Sequence, residues 1–251
     1  MDNGEFIVTL DREGVLLAAA AEAAGPDAAV PGCPGWQVRD LVRHTGAVHR
    51  WAAAFVVEGH EAFRPPGPGP DLDGDALLTW YRDGHRALVS ALAGAPDDLS
   101  CWAFLPAPSP LAFWTRRQAH ETAVHRVDAE SALGGAPGTA GTLTPMAPGF
   151  AADGVAELLT GLHAGDGSRV RSATPRILRV RTTDTRDVWT VRITAAPPVT
   201  DTSDTGPVDC ELRGTAEQLY LTLWNRLPLS TVSLSGDAAT AALWRNSSSI
   251  G

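Results

Sequence analysis

The chain contains no lysine: all 20 of its basic residues are arginine. This absence excludes Schiff-base catalysis and P-loop phosphate binding, because both depend on a lysine amine. Only three cysteines occur, Cys33, Cys101 and Cys210, and they form no C-x-x-C pair. An odd number of distant cysteines argues against a disulfide framework. No apolar run approaches the ~20 residues that a membrane span requires, and the acidic start lacks the basic segment of a signal peptide. These absences predict a reduced, cytoplasmic protein.

Positive charge is also scarce, and the net charge is -9. An acidic chain repels phosphate backbones and anionic lipid surfaces, so neither nucleic acid nor a membrane is an expected partner. The 44% hydrophobic and 20% charged residues are typical of a globular protein, and 251 residues are enough for two domains. Both a monomer and a homodimer are compatible with this composition.

The first domain, residues 1–140, is predicted to be helical. Apolar residues recur at helical spacing in four segments, and loops rich in proline and glycine separate them. Four helices of this length predict a four-helix bundle. The predicted helices cover residues 6–24, 38–58, 77–92 and 111–133.

A second domain, residues 148–251, is predicted after a segment rich in glycine and proline. That segment, residues 134–149, is expected to be an exposed linker. The runs RILRVRTTD and DVWTVRITA predict a hairpin, because β-branched residues dominate both and a polar turn separates them. Short strands at 208–212 and 231–234 and helices at 215–226 and 238–245 complete an α+β domain with a small antiparallel sheet.

The fourth helix carries the chemistry, in the stretch RRQAHETAVHRVDAE. His120 and His125 are five residues apart, about 140° around a helix, and cannot chelate one ion together. Glu121 and His125 are four apart and share one face. His44, beside the apolar stripe of the second helix, supplies a third donor. The spacing predicts a metal site of two imidazoles and one carboxylate, with a coordination position left open.

A structural interpretation of the same residues stands beside this one. A histidine on a half-buried helix is often a hydrogen-bonded core residue, and Glu-x-x-x-His is common as a surface pair. Asp128 either orients His125 or pairs with an arginine. Arg116 and Arg117 are surface charges or attract an anionic thiol.

The remaining polar and aromatic residues receive structural interpretations. Arg126 is interpreted as a helical partner of Glu130. Cys33 is not a predicted nucleophile, because a loop of proline and glycine does not activate a thiol. His120 is expected to be a packing residue, and Trp36 and Trp51 are expected to lie in the core.

Two long motifs resemble the signatures of the mycothiol-dependent maleylpyruvate isomerase family, a branch of the DinB-like metalloenzymes. The first is the loop Pro31–Trp36 followed by Arg39–Val42 and His44. The second is the stretch 114–130. Segments near the C-terminus are similar to the family's sterol-carrier-like α/β domain: Arg213–Ala216, Leu223–Pro228 and Gly236–Asp237.

The resemblance implies a DinB-like bundle followed by that α/β domain. It also implies that His44, Glu121 and His125 bind a divalent metal, usually zinc, and that mycothiol is the thiol cosubstrate. Arg226 matches an arginine implied to help bind the thiol or the substrate at the domain interface. Asn225 stands before it where the family often has glycine, which leaves the local turn open.

The expected function is S-transfer to, or thiol-assisted isomerisation of, a small electrophilic substrate. A metal with an open position lowers the pKa of a thiol until the thiolate prevails at neutral pH. Two alternatives remain at this point. One is a hydrolase in which the open position holds water, and the other is a non-enzymatic protein that binds a small molecule.

Overall fold

The structure, a computed structural model, describes residues 1–134 and 143–249. These residues fall into two compact units, divided between Leu143 and Thr144. Within the described ranges, no helix combines the length and the apolar character needed to cross a bilayer.

The first unit consists of four helices, each near its predicted position. Asp2 begins the first helix with reciprocal side-chain hydrogen bonds to Glu5. Ser109 caps the fourth helix, and Pro110 fits its first position because the amide that proline lacks would have no helical partner there. The helices are α1 (Asn3–Ala24), α2 (Val38–Glu58), α3 (Gly74–Gly94) and α4 (Pro110–Ser131). Helix α1 packs against α4, and α2 packs against both α3 and α4.

Helix α4 is buried on nearly all sides, although its sequence is rich in polar residues. Buried polar groups require hydrogen-bond or charge partners, so α4 must find them on the surrounding elements. The buried polar side chains of α4 are Thr115, Arg117, Gln118, His120, Thr122, His125, Arg126, Asp128 and Glu130. This buried polar helix positions the candidate site.

The second unit is an α/β domain built on a five-stranded sheet of order β3-β2-β1-β4-β5. Its strands are β1 (Arg176–Thr182), β2 (Val188–Ile193), β3 (Val199–Asp201), β4 (Cys210–Gly214) and β5 (Ser233–Gly236). Its helices are α5 (Pro148–Glu157), α6 (Ala216–Leu223) and α7 (Ala238–Ser247), with a π-helical turn over Leu158–Leu162 and a 3-10 turn over Leu229–Thr231. The predicted hairpin is confirmed, since β1 and β2 pair antiparallel with Val180 opposite Trp189.

The expectation of a purely antiparallel sheet was wrong, because β1 and β4 pair in parallel. Strand β3 runs in the same direction as β1, since each is antiparallel to β2. Residues 202–209 lead from β3 to the opposite edge of β1, where β4 enters in that same direction. A parallel pair needs such a crossing connection, and local strand patterns do not reveal it. Strand β3 was not predicted.

The predicted linker, residues 134–149, lies largely outside the described residues, which omit 135–142. Its last part was assigned wrongly. Met146 is buried, and its backbone amide donates a hydrogen bond of 2.9 Å to the carboxylate of Glu217. Helix α5 begins at Pro148, where proline suits the first helical turn. The end of the segment therefore belongs to the second unit.

Candidate metal centre

The structure brings together the three predicted ligands His44, Glu121 and His125. The Nε2 atom of His44 lies 3.4 Å from Oε1 of Glu121, and Nε2 of His125 lies 3.2 Å from the same oxygen. Each residue offers one ligand atom, and the three atoms all lie within 4.8 Å of one another. Two imidazole nitrogens and one carboxylate oxygen therefore converge on one point.

Helical geometry accounts for this convergence. Glu121 and His125 are one turn apart on α4, so their side chains lie side by side. His44 reaches them from α2, whose neighbouring residues Leu41 and Thr45 are buried against the bundle. Helix α4 thus supplies two of the three donors, and the packing of α2 against α4 brings the third donor, His44, next to them.

The second oxygen of Glu121 is held by Arg117, whose Nη2 donates to Oε2 at 3.4 Å. Burial alone would raise the pKa of the Glu121 carboxyl. The hydrogen bonds with His125 and His44 and the charge of Arg117 outweigh burial and hold this pKa well below its ordinary value. Glu121 is therefore an anion that directs Oε1 toward both imidazoles. Arg117 is buried, so its interpretation as a surface charge was wrong.

Asp128 fixes the orientation of the His125 ring. Its Oδ2 lies 2.9 Å from Nδ1 of His125, and Asp128 is fully buried. Burial lowers the pKa of His125, but contacts with Asp128, Cys33 and Glu121 together raise it well above its ordinary value. Because Nδ1 faces Asp128, Nε2 is left to face Glu121. Of the two interpretations of Asp128, the structure therefore favours the orienting one.

The loop before α2 supplies two further residues, neither of which the sequence analysis placed at the site. Cys33 donates from Sγ to Oδ2 of Asp128 at 3.4 Å, so that Cys33, His125 and Asp128 form a second group with metal-ligand spacing. The Trp36 ring lies 5.0 Å from the His44 ring and stacks on His125 at 6.3 Å between centroids. Trp36 is thus half-buried: it packs against the core of the bundle, as predicted, and it also forms a wall of the site.

Solvent reaches the site from the His44 side. The side chain of His44 is 38% exposed, that of Glu121 is 23% exposed and that of His125 is 10% exposed. The exposed fraction of the donors thus increases from His125 through Glu121 to His44.

The donor set fits a divalent metal ion. Two imidazoles and a carboxylate are ligands of Zn²⁺ and also accept Ni²⁺, Co²⁺ or Fe²⁺. Histidine ligands commonly pass their other ring N–H to a carboxylate, as His125 does with Asp128. Three donors leave room for a further ligand, which is the arrangement of catalytic centres.

His49 and His120 lie apart from this group, and His120 is a packing residue as predicted. His120 is buried with its ring edge toward Phe6, at 5.9 Å between centroids. His49 is buried too, and its Nε2 lies 2.9 Å from Oγ1 of Thr122. Both histidines therefore serve the packing of the bundle.

Arg126 pairs with Glu130 as predicted, at 2.7 Å. The pair is not on the surface, however, because Arg126 is fully buried and its Nε also donates to Glu13 on α1, at 2.7 Å. This cluster joins α1 to α4 and belongs to the core.

Arg226 follows helix α6 in a turn whose form Asn225 had left open. Asn225 has φ 62° and takes the left-handed conformation in which glycine is usual. The amide of Arg226 donates to the Leu221 carbonyl at 2.8 Å, which is the helix-ending bond that this conformation allows. Asn225 therefore forms the helix-ending turn at a position where glycine is usual. The Arg226 guanidinium is half-buried and donates to the Trp224 carbonyl at 2.9 Å.

Comparison with known families identifies both units. The model of the mycothiol maleylpyruvate isomerase N-terminal domain matches residues 9–130, and the model of the MDMPI C-terminal domain matches residues 149–243. The two family models thus match the helical bundle with its converging donors and the α/β domain that follows it. The chain belongs to the mycothiol maleylpyruvate isomerase family, a family of enzymes, as its motifs predicted.

Two solved structures support the fold. They are crystal structures of the mycothiol-dependent maleylpyruvate isomerase, one of which carries a histidine-to-alanine mutation, with TM-scores of 0.60 and 0.61. Each is 16% identical to this chain, and each alignment covers 94% of this chain and 93% of the other. The predicted helical N-terminal domain and α/β C-terminal domain are confirmed. At this identity the likeness shows the fold alone. A comparison with curated proteins gave no match.

Proposed function

We propose that this chain is a metal-dependent enzyme that uses the thiol mycothiol to isomerise a small electrophilic substrate or to transfer sulfur to it. The observation that carries the proposal is the convergence of His44, Glu121 and His125 within 4.8 Å, in a chain of this family. Isomerisation is supported by the family, since the model that matches residues 9–130 describes the N-terminal domain of a mycothiol maleylpyruvate isomerase.

In this proposal, Nε2 of His44, Oε1 of Glu121 and Nε2 of His125 hold the metal, for which Zn²⁺ is the first candidate. A divalent ion at this point supplies a positive charge that lowers the pKa of a thiol, so that the thiolate is available at neutral pH.

The surrounding residues keep the donors in place. Arg117 holds the outer oxygen of Glu121, and Asp128 holds Nδ1 of His125. The Trp36 ring covers both imidazoles on one side, so that a ligand enters by the exposed edge of His44. Positioning of this kind is most effective where the supporting groups are themselves fixed, as the buried Arg117 and Asp128 are.

Both outcomes of the reaction begin with the same step. The thiolate forms an S–C bond to an activated alkene, and the electron pair of the double bond moves onto the adjacent carbonyl group. In isomerisation the adduct rotates about the former double bond, the electron pair returns from the carbonyl group to re-form that double bond, the S–C bond breaks, and the thiolate leaves unchanged. In S-transfer a proton adds to the adduct, and the S–C bond remains.

Metal content tests the ligand assignment. His125→Ala should lose both the metal and the activity, because it removes one of three donors. His49→Ala and His120→Ala are matched controls, since both histidines lie near α4 outside the donor group. Elemental analysis of the folded proteins should find metal in both controls. A His125→Ala protein with one metal per chain would refute the assignment.

Counting thiol during turnover separates the possible reactions. An isomerase changes its substrate without consuming mycothiol, whereas a transferase consumes one thiol per product. A hydrolase with metal-activated water, the remaining alternative, would turn over without any thiol. Turnover that is independent of thiol would overturn the proposal while leaving the metal centre intact.

Arg226 is proposed to bind the thiol or the substrate. Arg226→Ala should lower kcat/KM by about one to two decades, which corresponds to the roughly 1.5–3 kcal/mol of one charge-assisted hydrogen bond. The metal should remain bound. Arg213→Ala, which removes an exposed arginine from β4, is the matched control and should leave kcat/KM unchanged. Equal kinetics for both variants at saturating metal would show that Arg226 does not contact the reactants.

A further inference from the structure

The first unit contains a recess that is separate from the candidate metal centre. It has a volume of about 250 Å³ and lies between α2, α3 and the segment that follows α2. Its walls include the rings of Trp51, Phe55 and Trp80, and two arginines, Arg50 and Arg64, border it. None of its lining residues belongs to the metal-ligand groups of the described chain. We name it the α2–α3 cavity.

Arg50 is fixed in the wall of this cavity. Its guanidinium carbon lies 3.9 Å from the centre of the Trp80 ring, within the range of a cation–π interaction. Its Nη1 donates to the Gly46 carbonyl at 3.2 Å and its Nη2 to the Trp80 carbonyl at 2.5 Å. These bonds use two of the five N–H donors of a guanidinium, and the others stay available to a ligand.

Within the described residues Arg50 forms no ion pair, although the charge of Asp83 acts on it from a greater distance. Across residues 1–134 and 143–249, neither Arg50 nor Arg64 has a carboxylate within ion-pair distance. Burial lowers the pKa of Arg50 from its ordinary value, since a charge is costly away from water unless it is paired, and outweighs the charge of Asp83, which raises it. An anionic ligand in the α2–α3 cavity would supply the missing partner.

Two glycines make room for the Arg50–Trp80 stack. A Cβ atom on Gly46 would lie 2.3 Å from the Trp80 ring, and one on Gly84 would lie 2.0 Å from Nη1 of Arg50. Glycine inside a helix is less favourable than alanine, so α2 and α3 are each locally less stable at the glycine that makes room for the stack. A guanidinium held in this way is arranged before a ligand arrives, which reduces the entropy lost on binding.

The cavity's chemistry defines its ligand. A guanidinium pairs with a carboxylate through parallel hydrogen bonds, and aromatic walls favour a flat apolar body. The volume is below the roughly 300–1,000 Å³ of sites for drug-sized ligands, so the occupant is small. We propose that the α2–α3 cavity binds a small planar monocarboxylate, of the size of benzoate, with its carboxylate on Arg50. This inference does not depend on the proposed reaction at the metal centre.

The test is a benzoate titration of the full-length protein, followed by NMR of the tryptophan indole N–H signals. The signals of Trp51 and Trp80 should shift and saturate, because both rings line the cavity. Benzamide, which has the same shape without the charge, should bind at least ten-fold more weakly. The titration is repeated with EDTA, and the result should not change, because no metal is needed.

Variants locate the site. Arg50→Gln should weaken benzoate binding at least ten-fold, whereas Arg82→Gln, which removes an arginine paired with Glu22 outside the cavity, should leave it unchanged. Ala54→Phe, which fills the cavity and keeps Arg50, should abolish binding and serves if Arg50→Gln does not fold. Equal affinity for benzoate and benzamide, binding that survives Ala54→Phe, or binding that EDTA abolishes would each overturn the proposal. So would the absence of saturation at millimolar benzoate.

Discussion

The Asp128→Asn substitution removes one negative charge beside His125 and nearly preserves the shape of the side chain. In the protein, Oδ2 of Asp128 lies 2.9 Å from Nδ1 of His125 and is shielded from water. The carboxylate both aims the imidazole and increases the electron density on Nε2, the atom proposed to bind the metal. Asparagine can still accept a hydrogen bond from Nδ1 but lacks the charge.

The expected result is weaker metal binding without loss of the site. Removing a carboxylate that supports a ligating histidine typically lowers metal affinity by about 10–100-fold, or about 1.4–2.8 kcal/mol at 25 °C. The loss of metal affinity in Asp128→Asn should lie near the lower limit of this range. Asp128→Ala should reach the upper limit, because it also leaves His125 and Cys33 without their buried acceptor.

The assay is competition for zinc against a chromogenic chelator at fixed pH, combined with kcat at saturating zinc. Glu130→Gln is the matched control, because Glu130 is another buried carboxylate of α4 but pairs with Arg126. Glu130→Gln should cost less folding stability than an unpaired buried charge, which costs about 3–5 kcal/mol, because Glu13 still pairs with Arg126. The zinc affinity of the folded control protein should nevertheless equal that of the wild type.

Two results would refute this reasoning. If Asp128→Asn binds zinc as tightly as the wild type, the carboxylate does not support the ligand. If Glu130→Gln loses zinc affinity to the same extent, the loss reflects a loosened helix α4 and not the contact with His125.

Three further predictions concern the fold. Gly14→Ala should lower the free energy of unfolding by about 1–3 kcal/mol, because its Cβ would lie 2.2 Å from the His85 ring. Gly94→Ala meets no atom within 4 Å and should raise the free energy of unfolding by about 0.5–1 kcal/mol. Thermal unfolding measures both. Burial lowers the pKa of His163 from 6.5 to about 4, so the unfolded chain takes up this proton first. Its contribution to stability is full above pH 6.5 and is lost as the pH falls toward 4, by up to about 3 kcal/mol. Urea unfolding should show this loss in the wild type and less of it in His163→Gln. Asn225→Ala and Asn225→Gly both lose the hydrogen bond from Nδ2 to the Arg245 carbonyl at 3.0 Å. Urea unfolding should find the alanine variant less stable than the glycine variant by about 1 kcal/mol, because alanine tolerates the positive φ of this position poorly.

The sequence was informative where the site follows helical spacing. Glu121 and His125 are one turn apart, so their common face could be deduced without any knowledge of the fold. His44 required one further step, namely that the apolar stripe of α2 faces the core, which its buried neighbours Leu41 and Val42 confirm. The family motifs then linked the two helices.

Residue spacing did not predict the positions of side chains in loops or on a helix that is buried on nearly all sides. The loop that holds Cys33 and Trp36 has no repeating geometry, so its sequence does not tell where these side chains point. Arg117 resembled a surface charge because α4 has no apolar face from which an exposed one could be inferred. The pairing of β1 with β4 joins strands far apart in the chain, and only the fold decides it.

Helix α4 carries two charged clusters, and their difference indicates why one of them suits a ligand. Toward α1, Arg126 is enclosed by Glu13 and Glu130, all three buried, and its charge is satisfied by two carboxylates at 2.7 Å. None of these three side chains is more than 8% exposed. Toward α2, by contrast, one oxygen of Glu121 faces both His44 and His125, and the group becomes more exposed from His125 to His44. A buried charge is costly unless it is paired, so an enclosed cluster contributes to stability only through its internal pairs. An open group of converging donors still has capacity for a cation, and on α4 that group is the one beside α2.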